Sequence, residues 1–281
     1  MTMATFEASG LSLLAAASWG GGDFSGGLAS RRASVFRVVA VAHFCGLLVM
    51  LAMALLTREP IPPPPEVCWG AFAGFAGAFG IAALYRALAV GRMGVVAPVA
   101  AVVTGVLPVL ASFRTEGMPE RIQLFGFALA LVSIWLVARP NEYVDSHRGL
   151  GLAVFAGVMF GLFLFAGKQA GHHGVFWPLV AARLVSTCLM MVIIVASPRD
   201  PRPLRAVLWP MVLSGLLDST GNALFIGATR HGRLDVAAVL SSLYPASTVV
   251  LARVLLKERI STMQAAGIVC ALASVALIAI C

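Results

Sequence analysis

Asp218 and Asn222 stand one helical turn apart in "LLDSTGNALF" (216–225), between the apolar flanks "WPMVLSG" and "IGA". Residues spaced i, i+4 share one face of a helix. At bilayer depth an ionisable group costs about 2.5–3.5 kcal/mol on insertion scales, so it is retained for a substrate or ion path or for a paired lock between helices. Three further ionisable residues lie deep inside apolar runs: Asp23, His43 and Arg183. Such a set can recognise charge and exchange protons: a carboxylate takes an amine or a proton, a guanidinium takes a carboxylate, and an imidazole does either. Depth suggests the pairing. Arg183 stands 14 residues before 197, where the seventh apolar run ends, and Asp218 stands 12 after 206, where the eighth begins. At 1.5 Å per residue, antiparallel neighbours bring these two within about 3 Å in depth. Asp23 and His43 stand 6 and 7 residues from the turn between the first two runs and pair by the same reasoning.

Each pair has two readings, a substrate or coupling site and a structural ion pair, and a backbone carbonyl alone would serve His43. Asn222 either bridges helices or touches substrate. Trp69, Trp177 and Trp209 open their segments, as an interfacial aromatic belt would. Trp19 and Tyr244 lie deeper, which leaves both pocket lining and belt for them. Ser241 completes the candidate set. Arg86 and Lys168 lie near run ends, within snorkelling reach of the interface.

The elements that position these residues follow from composition. Of 281 residues 60% are hydrophobic and 11% charged, with mean hydropathy +0.94. Soluble domains carry about 25% charge, so this chain has too little polar surface for a soluble globule and reads as a polytopic membrane protein. Its net charge of +8 comes from basic residues scattered singly, in twos and in threes between apolar runs. That pattern fits topogenic loop charge and argues against nucleic acid as a partner. The five cysteines show no CxxC and no metal spacing. The first run lacks a basic n-region, which predicts a retained helix rather than a cleaved signal.

Ten segments reach the length of about 20 mostly apolar residues that a span needs: 8–29, 36–56, 67–89, 94–113, 121–139, 149–168, 176–197, 206–228, 234–256 and 262–281. Proline-rich "TREPIPPPPE" (57–66) and "SPRDPRP" (197–203) break them, and "RPNEYVDSHR" (139–148) divides the chain near its middle. Pro98, Pro108 and Pro245 fall inside the fourth and ninth segments and predict kinks or loosened turns there. The small-xxx-small pairs Gly22/Gly26, Gly70/Gly74, Gly157/Gly161 and Gly167/Gly171 predict close helix contacts.

Shifted by 141 residues, the chain matches itself. Seven of the 12 glycines in the second half fall on glycines, among them Gly74/Gly215 and Gly80/Gly221, where chance gives about one and a half. Arg92/Arg233, Gln123/Gln264, Leu131/Leu272 and Ser133/Ser274 match too, and Arg183 falls on Ala42, next to His43. An odd number of spans per repeat sends the second copy into the membrane from the opposite side. The expected architecture is therefore an all-α integral membrane protein of ten transmembrane helices in two inverted five-helix repeats, 1–140 and 141–281. In many transporters of that design the site lies near the midplane between halves.

Three stretches carry a family resemblance: "SWGGGDFSGGLASRR" (18–32), "ALYRALAVGRMGVVAPVAAV" (83–102), and 221–279 with "SSLYP", "LLKER" and "QAAG". A weaker echo, "FRTEGMPERIQLFG" (113–126), lies in the first half. The chain resembles the drug/metabolite transporter superfamily, EamA type, over nearly its whole length. The resemblance implies ten helices in two repeats and secondary transport of small metabolites or drugs. It also implies cytoplasmic termini. The loop charges point the other way, with thirteen basic residues in odd-numbered loops against six in even ones.

The leading function is thus a gradient- or exchange-driven secondary transporter of small metabolites, such as amino acids or related compounds, or of drugs. An exporter in a bacterial inner membrane is expected, with a small molecule and the bilayer as partners. A homodimer is among the states the sequence allows. The alternatives are a structural or assembly subunit, or a facilitative channel. No cofactor or metal is expected, and no enzyme: there is no HExxH, no GxSxG and no Walker motif, and His172-His173 has no acidic residue beside it in sequence.

Overall fold

In a bilayer a long apolar run satisfies its backbone only as a helix, and the chain follows that rule. The computed structural model describes residues 3–30, 32–90, 93–115, 117–137, 149–197, 205–244, 246–247, 254 and 262–279. Among the described residues are ten α-helices: α1 (Met3–Ser30), α2 (Val35–Leu56), α3 (Pro64–Val90), α4 (Met93–Thr115), α5 (Arg121–Val137), α6 (Leu150–Ala170), α7 (Phe176–Ala196), α8 (Leu208–His231), α9 (Leu234–Ser241) and α10 (Thr262–Ala279). Five of them, α2, α3, α6, α7 and α8, are long and apolar enough to cross a membrane, and α4 and α5 hold shorter apolar stretches. The protein is an all-α integral membrane protein. The polar stretch 139–148 and "LLKER" (255–259) lie outside the described residues.

Two expectations about segment ends are corrected. α1 starts at Met3 rather than near 8, because nothing in "MATFEAS" breaks a helix. The ninth segment, expected to run unbroken from 234 to 256, is interrupted: α9 ends at Ser241, Ser242 and Leu243 form a turn, and Tyr244, Ala246, Ser247 and Val254 are helical again. Pro245 follows Tyr244; it has no N–H to donate, and its ring excludes the carbonyl four residues earlier. By contrast, α4 runs on through Pro98 and Pro108.

The packing has two-fold character. Adding five to a helix number exchanges partners among the principal contacts: α1 packs on α8 and α6 on α3, α2 packs on α8 and α7 on α3, and α4 packs on α6 and α9 on α1. The pairs α2–α7, α4–α9 and α5–α10 map onto themselves. Direction completes the symmetry. Gly70 faces Pro178 and Gly74 faces Ala182, so α3 and α7 run parallel. The short turn at 57–63 sets α2 antiparallel to α3, and hence antiparallel to α7, its own repeat mate. A rotation that carries a helix onto an antiparallel mate has its axis across the helices, in the membrane plane.

Glycine sets the closeness of these contacts. A Cβ at Gly74 would strike the backbone of Ala182, and one at Gly215 the backbone of Ala42. The repeat mates Gly80 and Gly221 instead face the rings of Phe160 and Trp19, which are repeat mates themselves. Gly10 and Gly151 have open space where a side chain would go. Gly215→Ala should therefore lower the melting temperature of the purified protein by the equivalent of about 1–3 kcal/mol of overpacking. Gly10→Ala should leave it unchanged or raise it slightly. Equal effects of the two would show that backbone approach does not limit the α2–α8 contact.

The helix that carries Arg183 is fixed from outside. No side chain within α7 caps its N-terminus. The Glu59 carboxylate, from the turn after α2, accepts the N–H groups of Val175 (2.6 Å), Phe176 (2.8 Å) and Trp177 (2.9 Å). The Trp177 indole donates in return to the Glu59 carbonyl at 2.8 Å. Nearby, Glu66 bonds the ring and the N–H of His173. An anion over orphan N–H groups at the positive end of a helix is stabilising. Glu59→Ala should cost about 1–3 kcal/mol, and Glu59→Gln, which keeps an acceptor, should cost less. Melting temperatures that match the parent protein's for both variants would show that the cap contributes nothing.

Candidate functional site

Seven helices, with Tyr244 beyond them, contribute residues to the lining of one central pocket. Trp19 and Asp23 come from α1, and Asp218 and Asn222 come from α8. Gly77 and Ile81 on α3 and Phe160, Phe163 and Leu164 on α6 face them. His43 on α2, Arg183 on α7, Thr104 on α4 and Tyr244, just past α9, complete the lining. A smaller cavity shares Asp23, His43, Ile81 and Asp218 and extends to Val38, Val39 and Tyr85.

The charges are ordered. Arg183 donates from Nη2 to Oδ2 of Asp218 across the α7–α8 contact. The Arg183 side chain is only 6% exposed, whereas that of Asp218 is 26% exposed, so the carboxylate is the partner that faces the pocket. Trp19 Nε1 donates to Asn222 Oδ1 at 2.9 Å, which joins α1 to α8 and fixes the indole along the wall. His43 is buried, and its Nδ1 has no hydrogen-bond partner. Thr104 Oγ1 is bonded to the Ala100 carbonyl at 2.8 Å.

Seven of the eight candidate residues thus meet in one pocket: Trp19, Asp23, His43, Arg183, Asp218, Asn222 and Tyr244. Ser241 does not; it is fully buried and donates to the Ser12 carbonyl at 3.3 Å, at the α9–α1 contact. The expected pairing of Asp23 with His43 is corrected, since no hydrogen bond or ion pair joins them. α1 lies against α8, where a Cβ at Gly22 would be 3.3 Å from the Asp218 nitrogen. Depth matching gives height along a helix but not the side to which a residue turns. The four ionisable residues line one pocket instead of forming two pairs. Trp19 and Tyr244 belong to the pocket, and not to a belt.

Sequence reasoning passed over Thr104, and also Gly77, Ile81, Phe160, Phe163 and Leu164, because apolar residues do not stand out in an apolar chain. The 141-residue offset was the signal that reaches four of them. It carries Trp19 to Phe160, Asp23 to Leu164, Gly77 to Asp218 and Ile81 to Asn222. No group of three or more His, Cys, Asp or Glu side chains able to hold a metal ion occurs among the described residues.

Breaking a buried ion pair from one side leaves the other charge uncompensated and costs about 3–5 kcal/mol, whereas removing both charges is far milder. Asp218→Asn should therefore lower the melting temperature, and adding Arg183→Gln should restore most of the loss. A double variant no more stable than Asp218→Asn alone would show that the two residues are not coupled.

A family model described as the EamA-like transporter family matches the chain twice, over residues 8–139 and 147–280. A solved crystal structure with 18% sequence identity shares the fold at a TM-score of 0.77, covering 96% of this chain and 95% of its own. No curated protein matches the chain.

Proposed function

The chain belongs to the EamA-like transporter family, and from that premise we propose that it is a secondary transporter which exports small metabolites or drugs, driven by an ion gradient or by exchange. The coarser statement needs no proposal: it is a multi-pass membrane transporter of small molecules. We place it in a bacterial inner membrane with both termini cytoplasmic, and read it as non-enzymatic.

The observation that carries this reading is the Arg183–Asp218 pair at the wall of a pocket between two inverted halves. An ion pair that only locks helices together has no need to present either partner to a cavity. Here the carboxylate is left facing an open volume, where an incoming cation or proton competes with Arg183 for it. Charge exchange of that kind couples occupancy of the site to a second bound species. A scaffold subunit has no use for a pocket of this kind.

The test is efflux from proteoliposomes loaded with a defined mixture of amino acids and primary amines, read by mass spectrometry with and without an imposed proton gradient. At least one compound should leave at least tenfold faster than from protein-free vesicles, and faster with the gradient than without it. The Arg183→Gln/Asp218→Asn protein should fold and lose the flux. Gradient-independent flux would favour a facilitative channel, and wild-type flux in the double variant would make the pair structural.

A further inference from the structure

The pseudo-two-fold axis relates pocket positions in pairs, and in every pair the chemistry differs. Asp23 is related to Leu164, Asp218 to Gly77, and Asn222 to Ile81. Trp19, whose indole N–H is engaged by Asn222, is related to Phe160, which has no polar atom in its side chain. All eight residues line the pocket. The polar member always comes from α1 or α8 and the apolar member from α3 or α6. Positionally the pocket is symmetric; chemically it is split into a polar wall and an apolar wall, and Phe163 extends the latter.

The polar wall also has a sign. Asp23 has neither hydrogen-bond nor ion-pair partner among the described residues. Asp218 is the solvent-facing member of its pair, and Arg183 sits behind it, nearly buried. His43 holds a buried ring nitrogen without a partner at the same wall. The wall therefore offers carboxylate oxygens and the face of an indole, which suit an ammonium group. A substrate carboxylate would have to compete with Asp218 for Arg183.

We propose that the substrate is an amphipathic organic amine, bound with its ammonium on Asp23 and Asp218 and its apolar body against Phe160, Phe163 and Leu164. This rests on the transport reading but names what is transported.

Four probes separate the possibilities on detergent-purified protein: 2-phenylethylamine, ethylamine, 3-phenylpropionate and phenylalanine. Thermal shift and Trp fluorescence titration should rank 2-phenylethylamine first, at least tenfold tighter than ethylamine and 3-phenylpropionate, and tighter than phenylalanine. Phe160→Ala should reduce the ratio of 2-phenylethylamine to ethylamine affinity and leave ethylamine binding unchanged. Asp23→Asn should remove the preference for the amine over the carboxylate by a factor of ten or more. A melting temperature for Asp23→Asn within a degree of the parent's shows that this loss is not unfolding; if it does not fold, Leu164→Asn, on the apolar wall, should weaken 2-phenylethylamine relative to ethylamine. Preferred binding of 3-phenylpropionate or phenylalanine overturns the amine, as does no binding of any probe at millimolar concentration. Flux separates the two claims. If 2-phenylethylamine binds as described but does not cross proteoliposomes faster than in protein-free controls, the transport reading fails and the ligand class stands. If 3-phenylpropionate is carried and 2-phenylethylamine is not, transport stands and the class fails.

Discussion

A guanidinium and a carboxylate in a medium that cannot solvate them must hold one another, and the middle of this bundle is arranged around that necessity. Arg183 on α7 and Asp218 on α8 belong to different tight helix contacts, α7 against α3 and α8 against α2. For their side chains to meet, both contacts must sit at the right depth. Glycine provides this on each side: Gly74 lets α3 ride on the backbone of Ala182, next to Arg183, and Gly215 lets α8 ride on Ala42, next to His43. The position of α7 along its axis is set by Glu59 on its first N–H groups. The pair is a long-range consequence of short-range packing.

Two-fold symmetry explains the frame and leaves the chemistry open. Identical halves would line both pocket walls alike, with carboxylates facing carboxylates or leucine facing leucine. The first arrangement gathers like charges in a low dielectric, and the second gives no orientation to a ligand. Substitution at four related positions, 19/160, 23/164, 77/218 and 81/222, breaks the equivalence without disturbing the frame. Gly77 shows how. Its repeat mate Asp218 projects a carboxylate, whereas Gly77 leaves room that the Phe163 ring approaches to 3.2 Å of a Cβ position. One wall gains a charge where the other gains an aromatic surface.

Much of the frame was legible from spacing alone. Apolar length located the helices, and the glycine match at 141 residues predicted two repeats whose helices then exchange partners as expected. Depth arithmetic found Arg183 and Asp218, because both residues face inward. It failed for Asp23 and His43 since α1 packs on α8 rather than α2, and depth carries no information about azimuth. Ser241 went astray for a related reason: polarity in an apolar run signals the need for a partner, and a backbone carbonyl of α1 fills that need as well as a ligand does. The apolar wall was invisible by composition and accessible only through the repeat offset, read residue by residue instead of as a count of glycines.

The close contacts divide the core into two related groups of helices. α1, α2 and α8 form one, joined where Gly22 on α1 meets α8 and where Gly215 on α8 meets Ala42. Their repeat mates α6, α7 and α3 form the other, joined by Gly70 and Gly74 on Pro178 and Ala182 and by Gly80 on Phe160. The pocket lies between these groups, with its polar wall on one and most of its apolar wall on the other. Within a group the contacts at Gly22, Gly70, Gly74 and Gly215 are backbone-close and yield only at the cost of overpacking or voids. Between the groups α2 meets α7, and Arg183 reaches from the second group to Asp218 in the first. The side chains that face the pocket therefore also connect the two groups, so any species that competes for the Asp218 carboxylate acts on the contact between the halves and on the site at the same time.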